Sequence, residues 1–325
     1  MSKRALICGV TGQDGAYLAK LLIDKGYEVY GASRDIHAAN TQNLVRLGIS
    51  EDVRYESISL KEFRSVLEVL AKVKPDELYN LAGQSSVALS FEQPVETLES
   101  ISIGTLNILE VIRFLKLDTR FYNACSSECF GDTHGVPAVE DMPFKPRSPY
   151  AVAKSTAFWE LANYREAYQI HACSGLLFNH ESPLRPERFV TKKIIKTVIA
   201  ISRGLTDKLN LGNLNVKRDW GWAPEYVEAM WRMLQHEQAE DFVIATGKMY
   251  SLEQFVEYTF SKFDLDWQQY TSFDNDLKRP TDVSVSVGNP AKAKSLLGWA
   301  ASIDMYGVID RMIDAESKVE YFEKS

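Results

Sequence analysis

The chain has 325 residues, 45% of them hydrophobic and 25% charged, which is long and apolar enough for a large globular core. Its formal net charge is -7 and its cations are scattered, which argues against nucleic acid or an anionic membrane surface as the main partner. No apolar run reaches the roughly 18 residues of a membrane span, and the short apolar run after Met-Ser-Lys-Arg is too short for a signal peptide. We therefore expect a cytoplasmic protein that does not bind membranes or nucleic acid.

The cysteines and histidines show no pattern of metal ligands. Cys8, Cys125, Cys129 and Cys173 lie in apolar segments, as buried reduced thiols do. Cys125 and Cys129 are close in sequence, but no second Cys or His pair follows at the spacing of a zinc site. The five histidines are dispersed, so we predict no metal.

A strand–turn–helix pattern typical of nucleotide binding begins the chain. Residues 5–8 are a short apolar strand, Gly9-Val-Thr-Gly12-Gln-Asp-Gly15 is a glycine-rich turn, and residues 16–25 carry leucines at helical spacing. Glycines let a ligand approach the backbone, and a helix N-terminus attracts a pyrophosphate. Although the spacing is GxxGxxG rather than GxGxxG, we predict a dinucleotide site; a plain tight turn is the alternative.

The end of the second predicted strand, residues 28–32, indicates which nicotinamide cofactor fits. An acidic side chain there binds the ribose 2′-OH of NAD and repels a 2′-phosphate. Ser33 and Arg34 stand here instead, and a hydroxyl with a guanidinium suits the phosphate of NADP, although Asp35 follows. We predict NADP, with Arg34 near its phosphate; a solvated loop charge is the other interpretation of Arg34.

Strands and helices continue to alternate up to residue 175. The predicted elements are a polar loop at 35–48, strands at 53–58, 77–82 and 120–124, and helices at 60–73 and 94–116. This alternation predicts an α/β fold with a Rossmann-like, doubly wound parallel sheet. The turns Gly83-Gln84-Ser85 and Ser126-Ser-Glu128 follow two of its strands, so both should lie at the carboxyl edge where cofactors bind.

Beyond residue 175 the pattern is less regular. We predict a polar loop at 178–183, a helix at 189–201 and a turn-rich segment at 211–220, whereas 223–245 reads as a helix and strand that return to the sheet. We therefore predict an NADP-binding Rossmann domain at 1–176, joined by about 223–245. A smaller α/β substrate domain would comprise 177–222 and 246–325, so that the two domains interleave in sequence.

The segment from Cys125 to Lys154 carries the candidate chemistry. Tyr150 and Lys154 are four residues apart, so on a helix they share one face and the cation lies beside the phenol. A neighbouring positive charge stabilises a phenolate and lowers its pKa from about 10, so that it can act as a base. A surface pair is the alternative, because this spacing also occurs by chance.

The glycine turn, the Ser126-Ser-Glu128 turn and the Tyr150/Lys154 pair together resemble the extended short-chain dehydrogenases that act on nucleotide sugars. Within that group the chain is similar, from residue 7 to about 300, to the GDP-mannose 4,6-dehydratase family. The segments that carry the closer match are Arg147-Ser-Pro-Tyr-Ala-Val-Ala-Lys154, Leu177-Phe-Asn-His-Glu-Ser-Pro183, Phe189-Val-Thr-Lys-Lys193, Leu211-Gly-Asn-Leu214, Lys217-Arg-Asp-Trp-Gly221 and Val227-Glu-Ala-Met-Trp231.

The resemblance implies a redox-neutral dehydration of GDP-D-mannose to GDP-4-keto-6-deoxy-D-mannose and water. By that match, Tyr150 takes the proton of the sugar 4-hydroxyl while NADP⁺ takes hydride from C4. Glu128 then removes the C5 proton and helps to expel the C6 hydroxyl, and the stored hydride returns to C6. Ser126, where the family usually has threonine, would hydrogen-bond O4, and Lys154 would hold the nicotinamide ribose and lower the pKa of the tyrosine.

The same match implies the ligand-binding residues. Those for the cofactor are Gly9, Thr11, Gly12, Gln13, Asp14, Gly15, Arg34, Leu81, Ala82, Gln84, Tyr150, Lys154, His180 and Arg185. Those for the GDP-sugar are Ser85, Asn179, Val190, Lys193, Gly212, Lys217, Arg218 and Arg279, with the cations on its diphosphate. Structural roles are the alternatives for three of these residues: Asn179 as a turn cap, His180 as a satisfied histidine and Arg218 as a solvated charge.

The chain departs from the family pattern in the loop at 34–40, at Ser59 and at Trp222. The loop lacks the usual paired arginines that reach a neighbouring subunit, so both a homodimer and a homotetramer stay open. The helix after Tyr150 carries Phe158, Trp159 and Leu161, which would pack either on a partner or in the core. Ser59 replaces an aspartate that contacts adenine, and Trp222 replaces a smaller or imidazole side chain near the sugar nucleotide.

These departures leave alternatives to GDP-mannose dehydration. The substrate could be another GDP-sugar, such as a GDP-heptose, handled by the same apparatus. An epimerase or a 4-keto reductase of the same fold is a second possibility, but neither needs a base at C5 paired with the tyrosine, so Glu128 favours the dehydratase. A non-catalytic NADP-binding scaffold is the third, and the presence of Ser126, Glu128, Tyr150 and Lys154 together argues against it.

Overall fold

A seven-stranded parallel sheet forms the centre of the computed structural model, which describes residues 2–274 and 281–322, with side chains up to residue 317. The strands of the chain are β1 (Arg4–Cys8), β2 (Glu28–Ser33), β3 (Val53–Ser57), β4 (Glu77–Asn80), β5 (Arg120–Ser126), β6 (Ala172–Leu177), β7 (Asn179–Glu181), β8 (Leu209–Leu211), β9 (Lys217–Arg218), β10 (Trp220–Trp222), β11 (Phe242–Ile244), β12 (Tyr250–Ser251), β13 (Thr271–Phe273) and β14 (Val285–Ser286). The order in the large sheet is β11-β6-β5-β4-β1-β2-β3, which is the doubly wound arrangement predicted from the sequence.

Helices cover both faces of this sheet. The helices of the described part of the chain, on this sheet and elsewhere, are α1 (Gln13–Asp24), α2 (Gln42–Arg46), α3 (Phe63–Val73), α4 (Val87–Glu92), α5 (Pro94–Leu98), α6 (Gly104–Leu115), α7 (Pro149–Tyr168), α8 (Val190–Ser202), α9 (Ala223–Gln235), α10 (Leu252–Ser261), α11 (Trp267–Tyr270), α12 (Ala291–Leu297) and α13 (Met305–Phe322). Along β1, Ala5 and Ile7 pack towards α1 and α9, whereas Leu6 and Cys8 pack towards α3 and α6. Burial on both faces explains why the strands are continuous apolar runs rather than alternating ones.

Two local predictions are wrong. The predicted polar loop at 35–48 contains α2, and the predicted polar loop at 178–183 contains β7. Strand β7 forms by parallel pairing with β10, about forty residues later, which local sequence patterns do not reveal. The long helix predicted at 94–116 is α5 followed by a π-helical segment, Glu99–Ile103, and α6.

A second hydrophobic cluster lies in the late part of the chain. Ile194, Ile195 and Val198 of α8 pack there with Phe255 of α10 and Met305 of α13. Strand β11 belongs instead to the edge of the large sheet, where it pairs with β6. The division into two interleaved domains, with the boundaries given above, stays a prediction.

Three further observations concern the cysteines, metals and membranes. All four cysteines are buried and free, as expected of reduced thiols. Within residues 2–274 and 281–322, no group of three or more His, Cys, Asp or Glu side chains is placed to hold a metal. In the same part of the chain, no helix combines the length and apolar character that crossing a membrane requires.

Candidate active site

The glycine-rich turn between β1 and α1 is too tight for side chains at two of its glycines. Gly9 has φ +86°, and a Cβ there would lie 3.0 Å from backbone atoms of Leu81 and Ala82. A Cβ on Gly15 would overlap the carbonyl oxygen of Gly9. Gly12, in an extended conformation, caps α1 without a side chain. The absence of side chains leaves the N-terminus of α1 accessible to a ligand at the carboxyl edge of the sheet.

Asn43 of α2 forms a hydrogen bond with the backbone of this turn. Its Nδ2 donates a hydrogen bond to the carbonyl oxygen of Thr11 at 2.9 Å. Asn43 was not among the predicted site residues, because it lies in a segment predicted to be a loop and more than thirty residues from Thr11. Its place near the turn follows from the packing of α2 alongside α1.

The loop after β2 leaves Arg34 available to a ligand. The Arg34 side chain is 83% exposed, with its Nη1 3.8 Å from Glu96 Oε1. Asp35 turns back onto its own loop, where Oδ1 accepts hydrogen bonds from the N–H groups of His37 at 3.0 Å and Ala38 at 3.3 Å. The Asp35 carboxylate is therefore occupied locally, while the guanidinium of Arg34 faces solvent.

A buried pair of asparagines supports the turn after β4. Asn80 Nδ2 donates to Asn123 Oδ1 of β5 at 3.1 Å, and Asn80 Oδ1 accepts from the N–H of Ala82 at 3.3 Å. Leu81 and Ala82 thus lie beside Gly9, at the same sheet edge. Sequence reasoning missed both asparagines; their signal was a polar residue inside each of two apolar strands.

Gln84 and Ser85 continue this edge. Gln84 Nε2 donates to the carbonyl oxygen of Ser86 at 2.7 Å, which folds the turn onto the start of α4. Ser85 Oγ accepts a hydrogen bond from Arg188 Nη2 at 3.4 Å. The contact with Arg188 links the turn after β4 to the loop that precedes α8.

Ser126, Glu128, Tyr150 and Lys154 meet where β5 ends. Ser126 Oγ accepts from the N–H of Glu128 at 3.2 Å and so caps the short 3-10 turn that carries this glutamate. Ser148 caps the N-terminus of α7, where its Oγ accepts a hydrogen bond from the N–H of Ala151 at 3.1 Å. Lys154 Nζ lies 5.8 Å from the centre of the Tyr150 ring. A hydroxyl, a carboxylate, a phenol and an ammonium are thereby grouped at one point.

The direction of the Tyr150 pKa shift expected from the Tyr150/Lys154 spacing is wrong in this structure. Burial raises the pKa of Tyr150 well above its ordinary value, a hydrogen bond with Ser126 lowers it only in part, and the nearby Cys129, Cys125 and Glu128 raise it further. Lys154 donates to the carbonyl oxygen of Ala124 at 2.6 Å, and burial lowers its own pKa. Burial therefore outweighs the neighbouring cation, a balance that spacing alone does not predict.

Two thiols pack the Ser126-Ser-Glu128 turn against α7. Cys125 Sγ and Cys129 Sγ are 3.6 Å apart, on either side of the turn. Cys129 Sγ lies 3.8 Å from the carbonyl oxygen of Ala151, and Cys125 Sγ lies 3.7 Å from that of Lys154. These contacts hold the turn that carries Glu128 close to the helix that carries Tyr150.

The segment around β7 closes over the glycine-rich turn. His180 Nε2 is 2.9 Å from Asp14 Oδ2, and Gln13 Nε2 donates to the His180 carbonyl oxygen at 3.2 Å. Gln13 Oε1 accepts from Ser182 Oγ at 2.8 Å. Gln13 and Asp14 are therefore engaged with the β7 segment rather than directed only towards a ligand.

Arg185 lies beside the same segment. Its Nε is 3.0 Å from Glu181 Oε2, and its guanidinium stacks 3.7 Å from the centre of the Phe189 ring. Glu181 also accepts a hydrogen bond from Thr191 Oγ1 at 2.8 Å. This carboxylate therefore orients Arg185 and the start of α8 together.

The residues predicted to bind the sugar nucleotide are distributed over β7, α8 and the small strands. Asn179 starts β7, and Val190 starts α8 with its side chain exposed. Lys193 Nζ donates to the carbonyl oxygen of Asn210 at 2.8 Å, close to Gly212 in the turn after β8. Arg279 lies outside the described residues.

Lys217 and Arg218 of β9 differ in environment. Lys217 is exposed, whereas Arg218 is 7% exposed and its Nη2 lies 3.3 Å from Asp282 Oδ1. The interpretation of Arg218 as a solvated charge is therefore wrong. Asp219, which sequence reasoning did not single out, is fully buried and accepts hydrogen bonds from the N–H groups of Thr246 and Gly247, each at 2.9 Å. Burial raises the pKa of Asp219 to about 6.

The site forms at one edge of the large sheet because β1, β4, β5 and β6 are neighbours there. Their carboxyl ends bring together the glycine-rich turn, the turn after β4, the Ser126-Ser-Glu128 turn and the β7 segment. Such a fold, with a serine, a tyrosine and a lysine at this edge, defines an enzyme of the short-chain dehydrogenase class. More narrowly, the chain belongs to the GDP-mannose 4,6-dehydratase family, whose sequence profile matches residues 6–312.

Comparison with individual proteins agrees with this assignment. GDP-mannose 4,6 dehydratase 1 of Arabidopsis thaliana is 42% identical over 99% of this chain and 92% of its own length. The crystal structure of dTDP-glucose 4,6-dehydratase from Bacillus anthracis in complex with NAD has the same fold, with a TM-score of 0.85, 16% identity and 98% of each chain covered. The structure of RMD from Pseudomonas aeruginosa complexed with NADPH also has this fold, with a TM-score of 0.79 and 21% sequence identity. The alignment covers 98% of this chain and 100% of that one.

Proposed function

We propose that the protein is a GDP-mannose 4,6-dehydratase, a hydro-lyase that converts GDP-D-mannose to GDP-4-keto-6-deoxy-D-mannose and water with NADP as its cofactor. The observation that carries the proposal is the grouping of Ser126, Glu128, Tyr150 and Lys154 at the carboxyl edge of the sheet in a chain of this family. Only a reaction that needs both an oxidation at C4 and a base at C5 uses all four groups.

The glycine-rich turn supports a nicotinamide dinucleotide as the cofactor. Gly9 and Gly15 leave room where a Cβ would not fit, and the N-terminus of α1 lies behind them. When bound, the nicotinamide would accept the C4 hydride in its oxidised form, donate it to C6 in its reduced form and, while oxidised, supply a positive charge to the site of Tyr150. Lys154, which donates to the Ala124 carbonyl oxygen at this edge, would hold the nicotinamide ribose.

Exposed Arg34 and the occupied carboxylate of Asp35 support NADP over NAD. A guanidinium forms strong paired hydrogen bonds with a phosphate, and Asp35 is turned onto its own loop. We expect Arg34→Ala to weaken NADP binding about tenfold or more, as the loss of a charged hydrogen bond does, and to leave NAD binding unchanged. Titration of both dinucleotides by isothermal calorimetry checks this.

Arg64→Ala is the matched control for Arg34→Ala, because Arg64 is also an exposed arginine beside a glutamate, Glu68 of α3. It should bind both dinucleotides as the unaltered protein does. An equal loss of NADP and NAD affinity in Arg34→Ala, or no loss at all, would contradict the assignment of the 2′-phosphate to Arg34.

Tyr150 acts at the sugar 4-hydroxyl, which Ser126 would hold by a hydrogen bond. Burial raises the pKa of Tyr150 in the protein alone, and the positive charge of a bound oxidised nicotinamide would favour the phenolate. Removal of the hydroxyl proton by that phenolate would allow oxidation at C4. The resulting 4-ketone acidifies the C5–H bond, and Glu128 would take that proton and pass it to the departing C6 hydroxyl as water forms, which leaves a double bond between C5 and C6. The hydride removed from C4 would then add to C6, and the proton that Tyr150 took from the 4-hydroxyl would add to C5. Atoms balance, because the sugar loses one water and its oxidation level is unchanged overall.

Substrate identity is tested by mass spectrometry. Purified protein incubated with GDP-mannose and no added reductant should convert it to a product lighter by one water, with no net formation of NADPH. A heat-denatured sample is the control. Unchanged mass with GDP-mannose but loss of water from a GDP-heptose would replace the substrate and keep the mechanism. Net NADPH formation would instead favour an oxidoreductase of the same fold.

Assembly as a homodimer or homotetramer belongs to the same proposal. On α7, Phe158 and Leu161 face the core, while Trp159 is 62% and Val152 43% exposed. Val95 on the neighbouring α5 is 66% exposed, so apolar side chains of two packed helices face outwards. A second copy of the chain is the partner we propose for them.

The buried free thiols accord with a cytoplasmic location, which we also propose.

A further inference from the structure

The ion pair between Asp14 and His180 contains a fixed positive charge. His180 Nε2 lies 2.9 Å from Asp14 Oδ2, and Nδ1 lies 2.7 Å from the carbonyl oxygen of Phe178. A carbonyl oxygen only accepts, so Nδ1 carries a hydrogen. Asp14 Oδ1 accepts from Gln13 Nε2 at 3.0 Å, as expected of a carboxylate. The lowered pKa of Asp14 keeps this carboxylate ionised, so Nε2 as well as Nδ1 faces an oxygen that only accepts; this geometry is that of an imidazolium at His180.

Neighbouring elements hold the ring of His180 in place. It stacks on the ring of Tyr226 from α9 at 4.5 Å between centroids, and its exposure is 8%. Tyr226 reaches it across Gly221 of β10, the residue paired with His180, where a Cβ would overlap the tyrosine ring. The orientation of the imidazolium towards Asp14 is thus determined by packing and not only by the ion pair.

Asp14 occupies a position that is unfavourable for binding a diphosphate. It lies in the first turn of α1, where a carboxylate stabilises the helix dipole. The same carboxylate repels an anion that approaches the helix N-terminus, because the two negative charges would lie close together in a partly desolvated cleft. A positive charge fixed against Asp14 removes this repulsion.

The charges around His180 agree with this arrangement. Burial favours the neutral ring, but the charge and hydrogen bond of Asp14 outweigh it and raise the pKa of His180 above its ordinary value, with Arg185 acting in the opposite direction. Burial likewise opposes ionisation of Asp14, yet His180, Gln13 and Arg185 together lower its pKa. The ring of Tyr226, which carries a titratable phenol, also packs against the ring of His180.

We propose that His180 is a positioning residue whose imidazolium masks the negative charge of Asp14, so that the N-terminus of α1 can accept the diphosphate of the cofactor. This inference rests on the proposed function. It changes the role predicted from the sequence: the His180 ring does not bond the cofactor, because both of its nitrogens are already used.

A double-mutant cycle tests the masking role through binding rather than turnover. The variants are His180→Gln, Asp14→Asn and the double variant, and the readout is the NADP dissociation constant of protein stripped of nucleotide, measured by calorimetry. We expect His180→Gln to weaken binding about tenfold or more, since it leaves Asp14 charged and unpaired. We expect the double variant to bind NADP as tightly as Asp14→Asn alone, because His180→Gln has no negative charge to unmask once Asp14 is neutral.

Two results would overturn the inference. A double variant as weak as His180→Gln would mean that the ring contacts the cofactor or is needed only for shape, and a His180→Gln protein that binds NADP normally would mean that masking is unnecessary. An unaltered protein that binds neither NADP nor NAD would overturn the proposed function as well, so the two failures differ.

A second measurement applies if His180→Gln does not fold, as judged by circular dichroism. In the unaltered protein, NADP affinity should fall as pH rises through the elevated pKa of His180, because loss of the proton unmasks Asp14. Asp14→Asn should lack this decrease, since it has no carboxylate to unmask. Identical pH profiles for the two proteins would overturn the proposal, and titration of the cofactor phosphate cancels in the comparison.

Discussion

Tyr150→Phe is expected to lower the turnover of GDP-mannose by about 10²–10⁴-fold, the usual contribution of a positioned acid or base. The change removes only the phenolic oxygen and leaves the ring packed on α7, so the variant should still fold and bind NADP. Because the slowed step is the first one, bound NADPH should not accumulate after GDP-mannose is added. Stopped-flow absorbance of NADPH, with mass spectrometry of the product, checks both expectations.

Tyr168→Phe is the matched control for this variant, since Tyr168 lies on the same helix and is 50% exposed. It should turn over GDP-mannose at the normal rate. If Tyr150→Phe kept most of the activity, the proton of the 4-hydroxyl would have to leave by another group, and the proposed mechanism would be wrong.

Glu128→Gln is expected to block the second half of the reaction but not the first. The amide keeps the size of the side chain and the backbone hydrogen bond to Ser126, but it does not accept a proton from C5. We expect water loss to fall by about 10²–10⁴-fold while C4 oxidation continues, so that bound NADPH accumulates after GDP-mannose is added. In D₂O, the unaltered protein should place deuterium at C5, and the variant should not.

Glu166→Gln, an exposed glutamate of α7, provides the control and should behave as the unaltered protein does. Full deuterium incorporation at C5 by Glu128→Gln would reject the assignment of the base and revive the epimerase and reductase interpretations. Together the two variants separate the steps: NADPH should be absent in Tyr150→Phe and should persist in Glu128→Gln.

Features determined by neighbouring residues were predictable from the amino-acid sequence alone. The continuous apolar strands and the helices between them predicted the doubly wound sheet, because burial on both faces requires that pattern. The glycines before α1 and the separation of Tyr150 from Lys154 also act within a few residues, through backbone sterics and the helical repeat. The segments that resemble the GDP-mannose 4,6-dehydratase family predicted the activity, and the model of that family matches residues 6–312.

Features determined by distant partners required the tertiary structure. The pair formed by Asp14 and His180 joins residues 166 positions apart, and the strand pairing of β7 with β10 orients one member of it. Likewise the direction of the Tyr150 pKa shift depends on how deeply the phenol is buried and on its contacts with Ser126, Cys129 and Cys125. Helical repeat and glycine content act within a few residues, whereas desolvation and charge pairing depend on which surfaces pack together after folding.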